Sequence, residues 1–392
     1  MPFAMCRQVE YCMKAAVVRL IAIQVFHHAC MTGFRMAAPL LALRQGHTPV
    51  AIGVLLALFA LTQVFLSLPA GRYADRHGLK RPVTISVAAS VLGAAVAVVW
   101  PVFPMLCITA LLTGGASGLV IIATQRYAGR LATSQLQVKQ VFSWLAIGPS
   151  LSNFVGPFLV GLMIDHAGFR AAFVLLAVFP VIAWVLVRPI LELQPQQSEE
   201  ETDKRHVWDL LSEPKMRRLL LINWILQSCW DVHSFVLPLL GHQRGFSASV
   251  IGTIIGAFAI AATTIRFFLP IIAARMQEWV VIVVALTATG VLFGVYPMLR
   301  TPLSMGLCSV LLGFSLGSVQ PMIMSSLHQI TPTDRQGEAL GLRLITVNAS
   351  SVLMPMIFGT AGTIVGVTSV FWVVGVTVLG GIRAAWMLRK RF

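Results

Sequence analysis

Of the fourteen acidic residues in this chain, Asp231 alone sits well inside a long apolar run. A carboxylate there is costly unless it faces a polar cavity or a partner, so its position is a pointer to function. Asn223, Trp224, Gln227, Asp231 and Ser234 recur at three- or four-residue steps, which places them on one face of a helix. A second apolar run carries Gln24, His28, Thr32 and Arg35 on an equivalent face. The chemistry available to such a set is proton uptake and solute binding. Burial in a low dielectric favours a protonated carboxyl, a guanidinium alongside favours the carboxylate, and the same guanidinium can anchor an anionic group.

The elements that must position these faces follow from composition. With 57% hydrophobic and only 11% charged residues, and a mean hydropathy of +0.83, the chain cannot present a polar surface to water and needs lipid. Its apolar runs are long enough to cross a hydrocarbon core of roughly 30 Å as helices. Twelve such spans are read, at 15–43, 50–70, 83–100, 104–125, 139–164, 170–189, 217–241, 250–271, 279–297, 303–327, 338–364 and 369–387. The expected fold class is an all-α membrane protein of two pseudo-symmetric six-helix bundles, at 15–189 and 217–388. A tail (1–14), a linker (190–216) and a basic end (389–392) complete the chain. Trp100-Pro101, Tyr296-Pro297 and Thr301-Pro302 mark tight reversals.

The linker is acidic, with Glu192, Glu199, Glu200, Glu201, Asp203, Asp209 and Glu213, and reads as a solvated tether. Lys and Arg set the orientation. With the amino terminus inside, only Arg44, Arg170, Arg244 and Arg300 fall outside, and Arg35 and Arg266 fall within spans. The other basic residues lie in cytoplasmic segments and flanking helix ends, which predicts a bacterial inner membrane protein with both termini cytoplasmic. The isoelectric point near 10.5 is then a topology signal, and nucleic acid is not an expected partner. Polar residues before the first run argue against a cleaved signal peptide. Cys30, Cys107, Cys229 and Cys308 lie in apolar spans and Cys6 and Cys12 in the tail, with neither a disulfide framework nor a zinc spacing. No metal, cofactor or enzymatic constellation is expected. Membrane lipid is a partner, and a monomer is expected.

Sliding the chain against itself exposes a repeat. At an offset of 199, Cys30, Pro39, Leu40, Gly46 and Gly53 fall on Cys229, Pro238, Leu239, Gly245 and Gly252, and Gly114 and Gly118 fall on Gly313 and Gly317. At 198, Pro157, Gly161, Gly168 and Phe173 fall on Pro355, Gly359, Gly366 and Phe371. Thr32 is thereby the counterpart of Asp231.

Between the second and third spans lies a polar island, Gly71-Arg-Tyr-Ala-Asp-Arg-His-Gly-Leu-Lys-Arg-Pro82. Gly71, Asp75, Arg76, Gly78, Lys80 and Arg81 follow the signature loop that the major facilitator superfamily carries on its cytoplasmic side, and the duplicated halves are similar to that family's parallel repeats. A second stretch, Gly148 to Gly161, resembles the Gly-Pro motif of proton-driven exporters. Gly148, Gly156, Pro157 and Gly161 match it, whereas Ser152 and Val160 stand where that motif favours glycine. Generic packing through small residues is the other reading of this stretch. The arginine that drug exporters of the superfamily usually carry four residues before the glycine of the fourth helix is Ala110 here, ahead of Gly114.

The resemblance implies alternating access around a midplane site lined by the first and seventh helices. It also implies that the loop latches the cytoplasmic side, with Asp75 opposed to the positive start of the eleventh helix near Gly337. On that fold Arg35 and Asp231 are expected to face each other across the halves. Asp231 is then the coupling-proton candidate and Arg35 its partner or an anion anchor, and a purely structural salt bridge is the competing reading. His28 is a second proton candidate or a packing residue. Gln24, Thr32, Trp224, Gln227, Asn153 and Asn348 are candidates to line the cavity. Arg266 is a substrate contact or snorkels to the interface. The expected function is proton-coupled export of a small organic solute, anionic or zwitterionic. The alternatives are a proton symporter importing an organic acid or sugar, then a lipid flippase or a sensor.

Overall fold

The structure, a computed structural model, describes residues 2–131, 141, 144, 145, 147–192, 207–273, 277–331 and 336–388. In hydrocarbon every backbone N–H and C=O must be satisfied within the segment, and the chain meets this with helices. They are α1 (Pro2–Arg44), α2 (Pro49–His77), α3 (Lys80–Val99) and α4 (Phe103–Leu131), then α5 and α6 within Ile147–Val187. Gly168, at φ 82° and ψ 176°, divides that stretch. A short 3-10 turn (Val207–Ser212) leads into α7 (Pro214–Gln243), α8 (Ala248–Ala273), α9 (Glu278–Val295), α10 (Pro302–Ile330), α11 (Gln336–Val365) and α12 (Val367–Leu388). The start of the fifth predicted span and the acids at 199–203 lie outside the described residues.

Asn223, Gln227, Asp231 and His233 interrupt the apolar run of α7, which is not among the helices whose composition alone marks them as spans. The chain keeps this helix in its interior. Asn223, Asp231 and His233 are each no more than 3% exposed, so packing within the protein replaces solvation by lipid.

Two compact units are present, residues 1–38 with 58–199, and 39–57 with 200–392. The repeat is visible in how each is packed. A Cβ on Gly114 of α4 would run into the backbone carbonyl of Phe59 on α2, and a Cβ on Gly313 of α10 would run into that of Phe258 on α8. Phe59 and Phe258 are themselves related by the offset of 199. Glycine is needed at both places because backbones approach within the width of a side chain.

The largest boundary differences from the sequence reading are at α1, which starts at Pro2 where a tail was expected up to residue 14, and at α2. The second span was expected to end at residue 70, ahead of the polar island, yet α2 runs on through the island to His77. It stops at Gly78, which takes φ +72° and returns its N–H to the Ala74 carbonyl at 3.0 Å, a left-handed helix end that glycine adopts without strain. Lys80 already begins α3, so the loop proper is two residues long.

Candidate functional site

In the second unit α7 lies against α11, and this contact builds the surroundings of Asp231. The side chain is 2% exposed. Ser350 donates its hydroxyl to Oδ2 at 2.9 Å, and Ser351 donates to Oδ1 at 3.3 Å. Behind Ser350 stands Ser228, with Oγ to Oγ at 3.4 Å, and Ser228 donates to the Trp224 carbonyl at 2.7 Å. Because Ser228 spends its proton on that carbonyl, its oxygen is open to accept from Ser350. The result is a short line of hydroxyls running from the carboxyl into the helix. A hydroxyl can rotate, so Ser350 can donate to an ionised Asp231, or accept from a protonated one while donating to Ser228. Both charge states are thereby satisfied without moving a helix.

The first unit presents the same positions with different chemistry. Ser152 of α5 falls on Ser350 at the 198 offset, and Asn153 falls on Ser351. Thr32 donates to the Ser152 carbonyl at 2.9 Å. His28 Nδ1 lies 2.6 Å from Ser152 Oγ, whose proton goes to the Pro149 carbonyl at 2.9 Å. His28 then serves as the donor in the tautomer carrying Nδ1–H. One turn earlier Gln24, 1% exposed, donates to Thr124 on α4 at 2.7 Å. The Gly-Pro stretch makes these contacts possible. A Cβ on Gly148 would come 2.7 Å from Gln24 Oε1, and one on Gly156 would come 2.6 Å from the Ala29 carbonyl oxygen. Pro157 and Gly161 are buried in the same helix.

Arg35, Trp224, Gln227, Asn153, Asn348 and Arg266 are half-buried. Of the other membrane histidines, His27 meets Ser90 at 3.3 Å. His233 meets Ser309 at 2.9 Å while stacking on Phe258. Both are packing residues. In the first unit a groove of 490 Å³ opens among α2, α3 and α4, lined by Thr62, Leu66, Tyr73, Ser86 and Gly115, and it contains none of the residues proposed from the sequence.

At the basic end of the first unit, the island is braced from α4 and from the start of the linker, where Glu192 was read as part of a solvated tether and instead packs on the loop. Arg126 donates to the Gly71 carbonyl. Glu192 accepts from the backbone N–H of Leu79 at 3.0 Å and of Lys80 at 2.6 Å, so its carboxylate caps the first turn of α3. Tyr127 donates to the Leu191 carbonyl at 2.7 Å and holds Glu192 in place from the next residue. Arg76 and Arg81 are exposed, and the side chain of Asp75 lies outside the described residues.

Sequence reasoning also missed Ser350 and Arg343. The repeat offset maps Ser350 onto Ser152, and that was a usable signal. Arg343 lies within the predicted span 338–364 and had been counted with the basic helix ends.

Comparison with known proteins agrees with this architecture. The sequence model of the Major Facilitator Superfamily matches residues 20–342 and 219–391. The Multi-drug resistance efflux pump PmrA homolog of Lactococcus lactis is 23% identical over 367 residues, covering 90% of this chain and 89% of that protein. The class B tetracycline resistance protein of Escherichia coli is 26% identical over 320 residues, covering 78% and 77%. Among solved structures, a POT family transporter in complex with a thioalcohol-conjugated peptide superposes with a TM-score of 0.74 at 14% identity, covering 96% of each chain. The fold, the duplicated halves and the signature loop are thus those of a multi-pass transport protein rather than an enzyme, and the chain belongs to the Major Facilitator Superfamily.

Proposed function

We propose that this transporter exports a small organic solute in exchange for protons, with Asp231 as the coupling-proton site. The observation that carries this reading is a carboxyl buried in a membrane helix with its two oxygens on rotatable hydroxyls, and a further hydroxyl behind one of them. A proton site needs partners that serve both charge states, and rotatable hydroxyls do so. The efflux direction draws on the Gly-Pro stretch of α5 and on the names of the relatives. In this reading the positive charges keep both termini in the cytoplasm, and the loop around Gly71, Asp75 and Gly78 acts as the inner gate. Arg35 and Gln227, both half-buried, contact the solute.

The test uses the full chain reconstituted in liposomes containing a trapped pH dye, with tetracycline as the probe solute. Solute added on one side should drive proton movement in the wild type. Asp231→Asn should reduce that movement by on the order of tenfold or more while retaining gradient-independent solute exchange. An Asn variant that keeps proton coupling removes the proposal.

A further inference from the structure

Two arginines of the second unit belong to neither the Asp231 cluster nor the signature loop. Arg266 lies seven residues before the end of α8, and Arg343 lies seven residues after the start of α11. The helices α8 to α11 alternate in direction through short connections, so the end of α8 and the start of α11 fall at the same end of the unit. At 1.5 Å per residue both guanidinium-bearing positions are about 10 Å into their helices. Arg343 is only 7% exposed. The Nε of each is buried and has no hydrogen-bond acceptor. The charge of Arg266 is near enough to act on that of Arg343. Among the described residues neither arginine has a carboxylate partner.

This arrangement is costly as it stands. Two like charges share a poorly solvated region, and among the described residues each leaves its buried Nε–H without an acceptor. Snorkelling accounts for one long side chain reaching the interface, but not for an arginine as buried as Arg343. A third group with negative charge resolves both defects, because a guanidinium edge matches a carboxylate or phosphate with two parallel hydrogen bonds. The first unit has no equivalent pair. The repeat places Ser67 opposite Arg266 and Leu145 opposite Arg343, so the charges are specific to the second unit and not a product of the duplication.

We propose that Arg266 and Arg343 together bind the carboxylate or phosphate group of the transported solute, which makes that solute an organic anion or a zwitterion. The inference rests on the chain carrying a small organic solute; it does not rest on proton coupling at Asp231.

The experiment measures thermal unfolding of the purified full chain at constant ionic strength. The probes are benzoate, glycerol 3-phosphate and inorganic phosphate, with benzamide as the neutral control and phosphatidylglycerol as a separate arm. A soluble organic anion should raise the unfolding temperature of the wild type, and benzamide should not. Arg343→Met and Arg266→Met should each unfold at a higher temperature than the wild type without ligand, because like-charge repulsion is relieved. Each should also weaken the apparent anion affinity by about tenfold or more. The anion response is read without a pH gradient, which separates failure here from failure of the coupling proposal. Methionine variants less stable than the wild type without ligand, or equally responsive to the anion, overturn the inference. A wild-type response to phosphatidylglycerol or inorganic phosphate alone also overturns it, since the pair would then hold a headgroup or a free ion and not a solute.

Discussion

The α1–α5 contact of the first unit and the α7–α11 contact of the second occupy equivalent places in the repeat and differ in one decisive substitution. Thr32 donates its only proton to a backbone carbonyl of α5. Its counterpart Asp231 brings two acceptor oxygens to the same place and draws hydroxyls from α11 toward itself. The first contact is closed, since the Thr32 and Ser152 hydroxyl protons are both spent on backbone carbonyls. The second retains a group that can change charge, with Ser350 and Ser228 able to re-aim. Duplication therefore supplied the frame twice, and ionisable chemistry was invested in one copy.

The strongest way to break this comparison is to exchange the two residues. A protein carrying both Thr32→Asp and Asp231→Thr keeps one acid at a repeat-equivalent place. We expect it to show no more solute-driven proton movement than Asp231→Asn, a loss on the order of tenfold or more, because α5 offers a carbonyl and not a free hydroxyl to the new carboxyl. Thr32→Asp alone should also unfold at a lower temperature, since an acceptor would then face the Ser152 carbonyl at the distance of the present hydrogen bond. Restored proton movement in the exchanged protein would mean that any acid on either helix suffices, and the hydroxyl line would lose its role.

The hydroxyls themselves sharpen the contrast at a smaller scale. Ser350→Ala removes a donor to a charged group and breaks the line toward Ser228. Donors of this kind contribute about 1.5–3 kcal/mol, so proton-coupled exchange should slow roughly tenfold or more. Ser152→Ala removes an equivalent hydroxyl that joins His28 to the Pro149 carbonyl. It should cost about 1 kcal/mol of stability and leave the exchange rate within about twofold. Equal kinetic effects from the two alanines, measured in the same liposome assay, would erase the distinction between the units.

Much of this was legible in the sequence, for identifiable reasons. Long apolar runs can only be helices in lipid, and the glycines shared at offsets of 198 and 199 mark backbone contacts that tolerate no side chain. Asp231 stood out because an acid in such a run has few inexpensive explanations. The partners of Asp231 were not legible. Serine is common in membrane helices and pairs with its own backbone as readily as with another helix, so beyond the repeat relation of Ser350 to Ser152 the two serines carry no signal until α7 and α11 are placed together. Arg343 escaped because a charge near the start of a span looks like an interfacial residue until its burial is known. The extension of α2 escaped because polarity was read as loop, whereas the helix continues to the first left-handed glycine.

Glu192 gives the smallest and most local test. The signature loop is intact only in the first unit. Its repeat counterpart has Ala274 opposite Asp75 and Gln277 opposite Gly78. The intact copy is also the one whose following helix is capped from a distance, by a carboxylate at the start of the linker. That carboxylate lies where a Cβ on Gly78 would project, so glycine there serves the turn and the clamp together. A neutral amide in its place keeps one carbonyl acceptor and gives up the charge that favours the positive helix end. Glu192→Gln should therefore loosen the loop by about 1 kcal/mol, read as roughly fivefold faster amide exchange at Leu79 and Lys80, with global unfolding little changed. The expected reach of the change is the loop and the first turn of α3, because the Arg126 contact to Gly71 remains. Faster exchange spread across α3 and α4 would instead make Glu192 a support of the whole first unit, and the difference between the two loops would then concern stability and not gating.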